Sequence, residues 1–144
     1  MRTPNGGMAA GAALLGCLAG CAPRLGPAFE PERNPPADMA VVYVYRPAMD
    51  LDSTQVYDVS AGGRIVSEIA GGGYFVHFAP PGPTEFSARG SLTMISRAPV
   101  DLKAGCIYYL RVRPARSAMT VQPTIVQVHP GQARDEIVHC RRMP

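Results

Sequence analysis

Between residues 40 and 129 the chain is a series of short apolar or alternating runs, separated by glycine, proline and polar clusters. This is the pattern of strands and turns rather than of helices. Residues 40–45 (AVVYVY) are β-branched and aromatic and stop at Arg46-Pro47. Residues 55–59 (QVYDV) and 64–69 (RIVSEI) flank Ala61-Gly62-Gly63, a hairpin signal. Residues 74–78 (YFVHF) follow three glycines and end before Pro80-Pro81-Gly82, and residues 85–89 and 92–95 flank Arg89-Gly90-Ser91.

Residues 106–113 (CIYYLRVR) alternate most clearly. Cys106, Tyr108, Leu110 and Val112 share one face, expected to meet the core. Ile107, Tyr109, Arg111 and Arg113 share the other, expected to be largely wet. A pair at 119–122 and 124–129 is interrupted at Pro123, which signals a sheet edge or a bulge and a place where another strand could dock. Residues 132–139 lack strict alternation and read as a short helix or a last strand. Seven or eight short strands with a turn signal every 8–12 residues predict an all-β fold, a single antiparallel β-sandwich with a possible short C-terminal helix.

Composition agrees with this pattern. Of 144 residues, 15 are Gly and 15 Pro, too many for a helical bundle, and 47% are hydrophobic against 17% charged, too apolar for disorder. Lys and Arg number 14 against 11 Asp and Glu, with no dense basic stripe, so nucleic acid is not an expected partner.

The N-terminal residues do not fit the β pattern. A short basic start (Arg2) leads into twelve apolar residues at 8–19, within the range of a secretory signal core and too short to span a bilayer. They end in Leu18-Ala19-Gly20-Cys21, which resembles the lipobox of bacterial lipoproteins. The resemblance implies cleavage between Gly20 and Cys21 and attachment of a diacylglycerol to the Cys21 thiol, with membrane anchoring through the acyl chains. Residues 1–20 are thus expected to be a lipoprotein signal peptide. Residues 21–38, with five prolines, read as the lipidated cysteine and a semi-rigid tether reaching up to about 50 Å, and 39–144 as the folded domain. Ala22 after the cysteine implies sorting to the outer membrane where a cell has two.

The domain carries its own resemblance. A VYVYRP strand at 42–47, the stretch AGGRIVSEIAGGGYFVHFAPPG at 61–82 and KAGCIYYLRV at 103–112 occur in that order. In this it resembles a family of small bacterial lipoproteins of unknown function, similar in outline to prealbumin-like and immunoglobulin-like β-sandwiches. Its shared features are turns and strands, and it implies no catalytic residues.

Candidate chemistry is sparse. Cys106 and Cys140 remain after Cys21 is lipidated, and an oxidising compartment favours a disulfide between them, with two free thiols or a redox pair as alternatives. Redox catalysis lacks a C-x-x-C. His77, His129 and His139 show no metal-ligand spacing and read as surface or capping residues. Asp50 and Asp52 could begin a calcium loop that no later residues complete, and Gly71-Gly72-Gly73 lacks the lysine of a phosphate loop. No G-x-S-x-G is present, so no catalytic residues, metal or cofactor are expected. Arg46, Arg111 and Arg113 around Tyr109 are a weak candidate patch for an acidic envelope partner. The expected function is a lipid-anchored, non-catalytic interaction or structural module of the cell envelope, with an envelope protein as partner. The alternative is a carrier or sensor for a small apolar or anionic ligand, with a pocket near Tyr43, Phe78 and Tyr108.

Overall fold

The computed structural model describes residues 26–48, 54–91, 95–116 and 119–144. The signal segment, the Gly20–Cys21 cleavage point, the Cys21 lipidation site and the Asp50/Asp52 pair lie outside them.

The strands are β1 (Ala40–Arg46), β2 (Tyr57–Ala61), β3 (Arg64–Ile69), β4 (Gly73–Ala79), β5 (Gly82–Arg89), β6 (Ile95–Leu102), β7 (Ile107–Arg116), β8 (Val121–Gln127) and the two-residue β9 (Arg141–Arg142). One helix, α1 (Pro130–Ile137), precedes β9. They form an all-β sandwich of a five-stranded sheet in the order β8-β7-β1-β4-β9 and a four-stranded sheet in the order β3-β2-β5-β6.

The four-stranded sheet is antiparallel throughout. The five-stranded sheet is mixed, which corrects the expectation of purely antiparallel pairing: β1 runs parallel to β7, and β4 parallel to β9. Parallel neighbours need long crossovers, and here the chain crosses to the other sheet and back twice between β1 and β7. The β2–β3 hairpin turns at Gly62 and Gly63, whose φ of 57° and 80° suit glycine at both central turn positions.

β6 extends well past the run at 92–95 suggested by the sequence. Its even positions Ala98, Val100 and Leu102 enter the core, while Pro99 sits on an edge strand that does not need its missing N–H. β8 passes straight through Pro123, and Pro123 faces Pro114 of β7.

Two apolar clusters lie on opposite faces of the five-stranded sheet. Between the sheets, Val42, Val44, Leu110 and Val112 meet Val59, Phe86, Val100 and Leu102. On the far face, Val41, Tyr43, Tyr45, Tyr74 and Tyr109 meet Val128, Ala133, Ile137 and Cys140. β1 is therefore buried on both faces along its whole length, which explains its unbroken apolar run.

The outer layer has two parts. α1 starts at an N-cap, His129, whose Nδ1 accepts from the Gly131 N–H at 3.2 Å, with Pro130 at the first turn. Ala133 and Ile137, four apart, face the sheet. Eight residues would not stay helical alone, so this burial holds the helix. The second part is the segment 26–38, thirteen of the eighteen residues of the expected tether. Gly26 N–H donates to Arg142 O at 2.7 Å, and Arg142 N–H donates to Pro27 O at 2.9 Å. Phe29 then packs edge-on against Tyr43 and Tyr74, with ring centroids 5.2 and 5.3 Å away. The Glu32 N–H donates to the Tyr43 hydroxyl. From Gly26 on, the expected tether is thus docked on the sheet rather than free-standing.

Candidate functional site

Strand alternation separates Arg46 from the other three residues of the expected basic patch. Arg46 is the last residue of β1 and points between the sheets, 1% exposed. Its guanidinium lies 4.3 Å from the Tyr57 ring centroid and donates to Gln55 O. Arg111 and Arg113 point to the opposite side, under α1. Tyr109 shares their face but is 2% exposed, stacked on Tyr43 at 5.4 Å. The face expected to be wet is therefore largely covered, because α1 and Phe29 lie on it.

Arg111 and Arg113 converge on one carboxylate. Glu136 Oε1 accepts from Arg111 at 2.8 Å, Arg113 at 3.3 Å and Gln132 at 3.1 Å, while Oε2 accepts from the Tyr45 hydroxyl at 2.7 Å. Burial acts to raise the Glu136 pKa, but the Tyr45 and Gln132 hydrogen bonds and the Arg111 charge outweigh it and leave it lowered. The same contact raises the Tyr45 pKa, first through burial and then through its bond to the carboxylate. The Nε atoms of Arg111 and Arg113 are buried without a hydrogen-bond partner. Sequence reasoning missed Glu136 altogether. It lies on α1, remote in sequence from β7, and only the docking of α1 creates the cluster.

The expected Cys106–Cys140 disulfide is absent: both thiols are free. Cys106 is exposed beside the start of β1, where its carbonyl accepts from Val41 N–H. Cys140 is buried at the other end of β1, its thiol 3.7 Å from Arg46 O. Five residues of strand, about 17 Å, separate these points, far beyond the roughly 4.4–6.8 Å Cα separation of a disulfide. Burial first, and the Glu136 charge second, push the Cys140 thiol up to about 11, so it stays protonated and unreactive at neutral pH.

The histidines are dispersed. His77 is half-buried between the sheets, edge-on to Phe86 at 6.1 Å, and burial lowers its pKa. His129 caps α1, and His139 is exposed. Among the described residues no group of three or more His, Cys, Asp or Glu side chains could hold a metal.

No family model, curated protein or solved structure matches this chain.

The residues named for an apolar pocket also part company. Tyr43 lies in the outer cluster, Phe78 is 42% exposed, and Tyr108 packs against the inter-sheet cluster. The Tyr108 hydroxyl accepts from Lys103 N–H at 2.9 Å and donates to Asp101 O at 3.2 Å, closing the β6–β7 connection. Nor is the β8 edge near Pro123 open for a docking strand. Pro123 is buried, and Ile125 N–H donates to Ser96 Oγ of β6 at 3.1 Å.

Among the described residues, no element covers the outer face of the four-stranded sheet. A shallow groove of about 340 Å³ crosses it, lined by Ser60, Ile65, Glu85, Ser87, Arg89, Ile95 and Arg97. Serines form its floor, Ile65 and Ile95 are exposed at its sides, and the ion pairs Arg89–Asp58 and Arg97–Glu85 span neighbouring strands. Such a face offers hydroxyls, paired charges and two aliphatic grips. It suits contact with another surface better than chemistry.

Proposed function

We propose that the chain is a lipid-anchored protein of the bacterial cell envelope, attached through Cys21, that works as a non-catalytic interaction module. The lipobox-like Leu18-Ala19-Gly20-Cys21 supports the anchor, and Ala22 supports outer-membrane sorting. One observation carries the module reading: the two sheets differ in what covers them. The polar side chains on the outer face of the five-stranded sheet are consumed in holding α1, and the space between the sheets is filled by side chains. The outer face of the four-stranded sheet is left as the broad surface for an envelope protein partner. A carrier of apolar ligands would need room between the sheets, so the geometry supports that alternative less.

A photo-crosslinker placed at Ser87, in the centre of the bare face, tests the module in intact envelopes. A discrete crosslinked species from Ser87, missing when the crosslinker sits at exposed Val138 just past α1, is expected. Equal background from both positions overturns the reading. Fatty-acid labelling that disappears in Cys21→Ala tests the anchor separately.

A further inference from the structure

Gly26, the first described residue, is hydrogen-bonded to Arg142 of β9. Arg141 and Arg142 are both exposed and take part in no ion pair among the described residues. Four residues, one of them Arg24, separate Gly26 from Cys21. Five Cα steps span at most about 18 Å. A folded unit of this size has a radius of gyration of about 13 Å, hence a diameter near 33 Å. A leash shorter than the body it holds restricts which end can face its point of attachment. The docking of 26–38 onto the five-stranded sheet is what makes the leash short.

Resting on the anchor reading above, we propose that the Arg141–Arg142 end of the sandwich docks on the anionic lipid headgroups of the membrane that holds Cys21. Two guanidiniums beside Gly26 are held within about 18 Å of the attachment point, so they can reach the surface potential of such a membrane, which fades over about 8 Å at physiological salt. Arginine suits this contact because its planar fork binds phosphate oxygens in pairs. The opposite end, with the turn at 79–82, the β6–β7 connection and exposed Cys106, then points away from the bilayer. There Asp101 at the end of β6 and Lys103 just after it carry opposite charges. The docked orientation would leave the bare face of the four-stranded sheet upright beside the membrane, open to a partner.

The test uses the full chain purified from membranes, with lipid on Cys21 verified by mass. It is reconstituted into phosphatidylcholine vesicles with and without phosphatidylglycerol. A fluorophore is placed either on Cys106 or, in a Cys106→Ser background, on a cysteine replacing exposed His139, and quenching by bromine-bearing lipids is read. Quenching at position 139 but not at 106, only with phosphatidylglycerol and abolished by high salt, is the expected result. Arg141→Gln and Arg142→Gln should each lower the ratio of docked to undocked protein about five-fold. An unchanged thermal midpoint would show that these exposed substitutions leave the fold intact. Equal quenching at both positions, or none lost in the double variant, overturns the docking face while leaving the anchor standing. A chain that carries no lipid on Cys21 overturns both.

Discussion

The two outer faces of the sandwich are built from the same kind of strand and have opposite fates. On the five-stranded sheet, Tyr43, Tyr74 and Tyr109 stand outward and are roofed by Phe29 and α1. On the four-stranded sheet, the groove is lined by Ser60 and Ser87, flanked by two cross-strand ion pairs and covered by none of the described residues. The difference lies in the side chains, not in the backbone. Three outward aromatic rings give the leading segment and α1 apolar surface to bury, whereas serines and solvated ion pairs offer little. A covered face contributes stability, and an uncovered one is free for recognition.

The sharpest way to break this comparison is to cut one outward residue on each face. Tyr43→Ala removes the ring on which Phe29 and Tyr109 pack and is expected to cost about 3–4 kcal/mol in urea unfolding. Ser87→Ala, central on the bare face, should change stability by less than about 0.5 kcal/mol. Similar costs for both would mean the faces are not distinct.

Glu136→Gln comes next, at about 2 kcal/mol. It strands two guanidiniums, though less severely than in a fully buried pair because Arg113 is 38% exposed. Since folding lowers the Glu136 pKa from its ordinary value of 4.5, its contribution is present above that pH and is lost as pH falls further. The variant should therefore lose less stability than the native chain on strong acidification.

Phe29→Ala should cost about 1–2 kcal/mol, since the ring is only partly buried. Its clearer signature is faster trypsin cleavage after exposed Arg33, because the leading segment loses its main apolar grip. Unchanged cleavage would show that the backbone bonds to Arg142 hold the segment alone.

The smallest effect separates the inner layer from the outer by pH. Burial lowers the His77 pKa below its ordinary 6.5, so the unfolded chain takes up the proton first. Stability is full above 6.5 and declines as pH falls below it, by no more than about 1.4 kcal/mol per unit. His77→Gln should flatten the profile between pH 7 and 5 while leaving the stronger-acid limb, which belongs to Glu136, in place.

Much of the strand layout was legible locally. The runs at 40–45 and 64–69 match β1 and β3 to within a residue, because turn glycines and prolines end them in the sequence itself. The expected run at 92–95 stops where β6 begins, and β6 carries Pro99, a poor strand residue that is harmless only because β6 lies at a sheet edge. The basic patch failed for a related reason. Alternation placed Arg111 and Arg113 on one face correctly, but whether that face is wet depends on α1, whose Glu136 lies more than twenty residues further along. The disulfide failed because parity of cysteines carries no distance, and the two thiols lie at opposite ends of β1.

By itself, the sequence determined the alternation, the turns and hence a β-sandwich, since these depend on residues close along the chain. It also holds the Leu18-Ala19-Gly20-Cys21 motif on which the proposed anchor rests. Only the tertiary structure decided which faces are covered, that the tether folds back from Gly26, that Glu136 collects Arg111, Arg113 and Tyr45, and that the cysteines stay apart. Each of these joins residues remote in sequence, and such contacts form only when the free energy of burying a whole surface exceeds the entropy of ordering the segment that covers it.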